Sequence, residues 1–225
     1  MADLDFLAWI QHESDAFATV LDTGTFDARV PGCPDWSLRD LAVHLGRVQR
    51  FWVGVVRAGA DTPPTFPDEQ LMPDDGADLA SWMRESTAQL IETLRTADPA
   101  TPAWTWWRDD RTVGAITRHQ VQEAAVHRWD AQSAMGTPAP IAAPVADDGV
   151  DEFLWIARQL REPAAIAFVT TDSGIARSVA DETPAVTVTG SASDLVLLLH
   201  GRVGVEAVHV DGDDAVLTAF LQPVG

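Results

Sequence analysis

The chain has no lysine, no tyrosine and a single cysteine in its 225 residues. One cysteine excludes an internal disulfide framework and fits a reducing cytoplasm. Positive charge is scarce as well. Fifteen arginines stand against 34 acidic side chains, for a formal net charge of −19. So acidic a surface repels a phosphate backbone and an anionic bilayer, so neither nucleic acid nor membrane is an expected partner. No apolar run approaches the roughly 18 residues of a membrane span. The opening residues Met1-Ala-Asp-Leu-Asp-Phe6 lack a basic start followed by an apolar core, so no secretory signal is expected and a cytoplasmic location is. Apolar residues, by contrast, are plentiful. At 46% of the chain, with nine Trp, they suffice for one large domain or two small ones with separate cores.

Helical periodicity dominates the first half. Phe6, Ile10, Phe17, Val20 and Leu21 form one stripe of a helix from about Asp3, the expected N-cap, to Thr23. Residues Val30 to Trp36, rich in Pro and Gly, are expected to be a loop. Ser37 followed by Asp40 resembles a capping box and starts a second helix, with Leu38, Leu41, Leu45, Val48, Trp52 and Val55 inward to about Arg57. Gly46 costs about 1 kcal/mol in a helix interior, so its presence suggests close backbone approach there. Residues 59 to 77 form a Pro- and Asp-rich connection. A third helix spans about Asp78 to Ala97 and ends at Asp98-Pro99. A fourth runs from about Val113 to Met135, closed by Gly136 and Pro138. Between them Trp104, Trp106 and Trp107 form either an aromatic wall over a site or a plug at the end of a bundle. Four helices of about twenty residues fit a four-helix bundle over residues 1–137, up-down-up-down or with crossovers, a fold whose interior hosts metal sites.

The fourth helix carries the chemistry. Its row Ile116, Gln120, Glu123, His127, Ala131, Ala134 begins and ends on small or apolar residues, as a buried row does, yet holds a carboxylate and an imidazole one turn apart. A buried carboxylate needs a partner, and a divalent metal also explains the neighbouring His. His44, bordering the apolar stripe of the second helix, is the candidate third ligand. Asp130 is a candidate to orient His127 or a neighbouring loop. His119, one turn before Glu123, is either a water-mediated contact or a residue at the rim. His12 reads as a solvated surface residue.

Beyond a Pro-Ala linker the period changes. Asp148 to Leu160 is an expected short helix. A hairpin follows over Ala165–Thr171 and Ile175–Val179, then a strand at Ala185–Thr189, a helix at Ser193–His200, a strand at Val205–Asp211 and a last helix at Asp213–Leu221. This is a small α+β domain over residues 145–225, and the whole chain is α+β.

Two motifs carry a resemblance. Val30-Pro-Gly-Cys-Pro-Asp-Trp-Ser-Leu-Arg-Asp-Leu-Ala-Val-His-Leu-Gly46 and Glu123-Ala-Ala-Val-His-Arg-Trp-Asp-Ala131 resemble the mycothiol-dependent maleylpyruvate isomerase family, within the DinB/YfiT-like metal proteins. Ser193 to Arg202 is similar to that family's sterol-carrier-like domain. The resemblance implies a divalent metal, usually zinc, on His44, Glu123 and His127, with positions left open for water or a sulfur. It implies mycothiol as thiol cosubstrate, ionised near neutral pH and attacking a small electrophile, in either a cis-trans isomerase or an S-transferase. Gln122 stands where members often have His, an outer position that bears on substrate or rate. Arg202 is the candidate contact for a carboxylate of mycothiol or substrate. Cys33 is an ordinary motif residue whose expected role is packing. The alternative is a non-catalytic, metal-stabilised binding or regulatory protein, which requires a fourth protein ligand. A metal-free bundle requires only a hydrogen bond between His44 and Glu123.

Overall fold

The computed structural model describes residues 4–60 and 76–222. Asp3 and most of the 59–77 connection lie outside the described residues. Contacts divide the chain into two compact units, Met1–Ala139 and Pro140–Gly225.

The first unit is a four-helix bundle of α1 (Phe6–Thr23), α2 (Leu38–Ala58), α3 (Gly76–Thr96) and α4 (Val113–Ala134). Asp5 caps α1, its carboxylate accepting from Ala8 N at 3.0 Å. The principal contacts join α1 and α2 each to α3 and α4, so α1 and α2 stand at opposite corners. Ile10, Phe17, Leu38, Leu41, Leu45, Leu79, Met83, Leu90 and Ile116 are fully buried, as their helical spacing requires. Thr137 N bonds Gln132 O and Gly136 N, at φ +72°, bonds Ser133 O, which closes α4 with a Schellman turn.

The expected loop before α2 is instead a short hairpin, β1 (Arg29–Val30) with β2 (Cys33–Ser37), turning at Pro31-Gly32. Its two prolines had marked it as irregular. Two such short edge strands tolerate them because few backbone N–H groups are needed for pairing.

The second unit packs α5 (Ala143–Leu160), α6 (Ala192–Leu199) and α7 (Asp214–Leu221) with a four-stranded sheet. Its strands are β3 (Ile166–Thr170), β4 (Ala176–Ser178), β5 (Val186–Gly190) and β6 (His209–Gly212), in the order β4-β3-β5-β6. Only β3 and β5 run parallel. Helix α5 begins five residues earlier than the pattern suggested. Pro144 sits in its first turn, where no N–H partner is lost. The expected strand at Val205 starts only at His209, because β5 ends at Gly190 and leaves earlier residues unpaired; Val205–Ala207 form a single 3-10 turn. Arg177, buried, ties β4 to α5 through Asp151 at 2.6 and 3.0 Å and Asp147 at 3.1 Å. Burial opposes the charge of this guanidinium, and the two carboxylates outweigh it and raise its pKa. Among the described residues no helix is long and apolar enough to cross a membrane.

Candidate metal centre

The site is built on two helices, whose starts fix the register of its residues. Ser37 Oγ accepts from Asp40 N at 3.2 Å while Asp40 Oδ2 accepts from Ser37 N at 2.9 Å, a complete capping box that fixes where α2 begins. His44 then falls between the buried Leu41 and Leu45, half-buried, with its ring 4.8 Å from that of Trp36. Helix α4 is capped by Thr112, whose hydroxyl accepts from Ala115 N at 3.2 Å. Because α2 packs on α4, His44 meets the row on α4. The rings of His44 and His127 stand edge-to-face at 5.0 Å.

Each of His44, Glu123 and His127 offers one ligand atom, and these atoms lie within 4.8 Å of one another. Asp130, with no exposure at all, faces His127 Nδ1 at 3.0 Å. That contact fixes the ring and turns Nε2 towards Glu123 Oε2, 3.5 Å away. Such a distance is beyond a well-formed hydrogen bond. Glu123 Oε2 is enclosed and has no hydrogen-bond partner among the described residues, although the side chain keeps some exposure elsewhere. Its other oxygen faces His119 Nε2 at 3.6 Å.

The electrostatics match the geometry. Burial pushes the Glu123 carboxyl up, but contact with His127 and the positive potential of His127, His119 and His44 prevail and hold it well below the usual carboxylate range. Burial lowers His127, while Asp130 and then Glu123 raise it and win, to about 9. An enclosed carboxylate oxygen without a donor, beside two imidazoles, is what a divalent cation would satisfy. Two nitrogens and one carboxylate oxygen suit zinc. The residues present therefore fit a metal, with no fourth protein donor in the converging group among the described residues.

The tryptophans of the loop before α4 differ in burial. Trp107 is buried 5.7 Å from Trp52 of α2 and closes the bundle, whereas Trp106 is 45% exposed. Asp110, at φ +47°, bends the loop so that its carbonyl accepts from Trp107 Nε1 at 3.3 Å. His119 lies among Trp52, Trp106 and Trp107 at ring separations of 6.0, 5.8 and 5.2 Å. It is therefore enclosed beside Glu123 and not merely at the rim.

Of the other candidates, Cys33 packs against the bundle core, Gln122 is buried and His12 is exposed. Arg202 belongs to the second unit. It follows a Schellman turn that ends α6, and its guanidinium donates to His200 O at 2.7 Å. His209 is exposed, and the ring of His200 lies 5.2 Å from Phe153.

One buried pair escaped the sequence reading. Arg128 Nε donates to Glu13 Oε2 at 2.7 Å, and both are almost wholly enclosed. The signal was present: Glu13 shares the buried stripe of Ile10 and Phe17, and Arg128 extends a second α4 stripe of Val121, Ala124 and Ala125.

With this geometry in view, comparison decides the family. The model of the mycothiol maleylpyruvate isomerase N-terminal domain matches residues 7–132, more than half of the chain and including His44, Glu123, His127 and Asp130. The chain belongs to this family. Among solved structures, the mycothiol-dependent maleylpyruvate isomerase is similar at a TM-score of 0.74, and a histidine-to-alanine mutant of that isomerase at 0.71. Each is 16% identical, with 93% of both chains covered, and identity that low bears on the fold alone. The isomerase family thus shares its α+β architecture over nearly the whole chain. No curated protein matches the sequence.

Proposed function

We propose that this protein is a zinc-dependent enzyme that activates mycothiol for attack on a small electrophile, with His44, Glu123 and His127 as the metal ligands. The observation that carries the reading is the enclosed Glu123 Oε2, without a hydrogen-bond partner among the described residues, facing His127 Nε2 and grouped with His44. When bound, zinc supplies the positive charge that lets a thiol ionise near neutral pH. Three protein donors, and no fourth in the group among the described residues, support an open coordination position over a purely structural site.

The chain's own residues prepare that chemistry. Asp130 holds the His127 ring with Nε2 inward, so no reorganisation is needed at the moment of use. Glu123 contributes a negative charge that stays ionised across the physiological range. Trp52 and Trp107, both buried, exclude water from the His119 flank of the carboxylate. An S-transferase and a cis-trans isomerase share the need for a thiolate and differ in whether the carbon–sulfur bond persists. Arg202 is the proposed contact for a carboxylate of mycothiol or substrate, and the single cysteine is consistent with a cytoplasmic enzyme.

Incubating the zinc-loaded protein with mycothiol and either maleylpyruvate or a haloaromatic electrophile tests the reading. Turnover that needs both thiol and metal, with KM raised in Arg202→Ala, is the expected result. No thiol-dependent turnover of either substrate class contradicts the enzymatic reading.

A further inference from the structure

Glu123 has one imidazole at each oxygen. His127 Nε2 stands 3.5 Å from Oε2 and His119 Nε2 stands 3.6 Å from Oε1. The two histidines flank the carboxylate at four residues before and four after it, so the helix itself stacks the three groups along one line. Only His127 joins the converging group with His44. His119 is held differently. Three indoles meet it, from Trp52 on α2 and from Trp106 and Trp107 in the loop before α4, at edge-to-face or tilted angles of 76°, 74° and 60°. Such contacts from two separate chain segments restrict the plane of its ring. A ring so restricted keeps Nε2 directed at Oε1.

We infer that His119 is a positioning residue for Glu123: clamped by Trp52, Trp106 and Trp107, it stands 3.6 Å from Oε1, outside hydrogen-bond range, and closes on that oxygen when a cation takes Oε2. The inference rests on the metal reading above. A carboxylate ligand gripped at one oxygen loses less rotational freedom on binding a cation, and its partner is worth about 10–100-fold in metal affinity. The cage therefore links the aromatic loop to the metal site, and gives its Trp residues a role beyond closing the bundle.

The test compares the zinc affinity of metal-free wild type with that of His119→Gln, His119→Asn and His119→Leu, by competition with a chromophoric chelator at constant pH. Gln places an amide N–H where Nε2 stood, while Asn places it near Nδ1 and cannot reach Oε1. Gln is expected to retain most of the affinity, and Asn and Leu to lose about 10–100-fold. Thermal melting in the presence of a chelator confirms that each variant folds, and the polar Gln/Asn pair keeps the comparison valid if Leu does not. The cobalt(II) absorption bands of wild type and His119→Gln should have the same shape, because the ligand set is unchanged. Equal affinity in wild type and Asn overturns the inference, as does an equal loss in Gln and Asn. A cobalt spectrum that changes in Gln makes His119 a ligand and overturns it too. Absence of zinc binding by wild type overturns the metal reading itself, a separate outcome from all of these.

Discussion

Asp130 and His127 are paired at 3.0 Å with the carboxylate wholly enclosed, and this one contact decides which nitrogen of His127 faces Glu123. Replacing Asp130 by Asn keeps the shape and removes the charge. Zinc affinity is expected to fall by about 10–100-fold while helix content stays the same. Chelator competition together with circular dichroism checks both halves. Undiminished affinity would mean that the pair only fills space.

Glu13 and Arg128 make a pair of another kind, remote from thiol chemistry in role and buried between α1 and α4. Removing one partner leaves a buried charge uncompensated, at a cost of about 3–5 kcal/mol. Glu13→Leu and Arg128→Met alone should each lower the urea midpoint sharply. A double variant, Glu13→Leu with Arg128→Met, should recover part of the loss. Additive losses in the double variant would show that the two side chains are not coupled.

Gly46 gives a prediction opposite in sign to helix propensity. Alanine gains roughly 1 kcal/mol over glycine in a helix interior. Here, however, a Cβ would stand 2.1 Å from Cζ3 of the Trp82 ring, over which the Arg50 guanidinium lies at 5.0 Å. Overpacking of this kind costs about 1–3 kcal/mol. Gly46→Ala should therefore melt at a lower temperature than wild type. A higher melting temperature would mean that Trp82 moves aside freely.

The capping box of α2 makes stability depend on pH. The Ser37 hydroxyl, and then its backbone N–H, hold the Asp40 carboxyl below its ordinary value. A folded-state pKa below the unfolded one stabilises above the unfolded value and is lost as pH falls through the folded value. The stability gap between wild type and Asp40→Asn should thus be full at neutral pH and shrink below about pH 4. Urea denaturation across an acid series measures it. Ser37→Ala should cost about 0.5–2 kcal/mol.

How much of this was legible depends on whether the cause was local. The stripes of α1 to α4, the Ser37/Asp40 cap and the Gly136 stop are local, and the helices stand within a few residues of where those signals put them. His44 is different. Nothing in the α2 pattern says which helix lies beside it, so its place on the apolar stripe made it a candidate third ligand without showing that it meets Glu123 and His127. The hairpin at Val30–Cys33 was hidden by Pro31 and Pro34, because a ladder this short depends on its partner strand more than on propensity. Glu13 and Arg128 were hidden for the opposite reason. Charged residues are read as solvent-facing by default, and only their positions on two apolar stripes betray burial. The enclosure of His119 came from Trp106 and Trp107 folding back over α4, a tertiary contact that sequence spacing does not encode.

Metal content is the most direct test of the site. Elemental analysis of freshly purified wild type beside His127→Ala is expected to find about one equivalent of zinc in the first and none in the second. Wild type that holds no metal, even after zinc is added back, would contradict the metal centre and leave His44, Glu123 and His127 as a buried polar network.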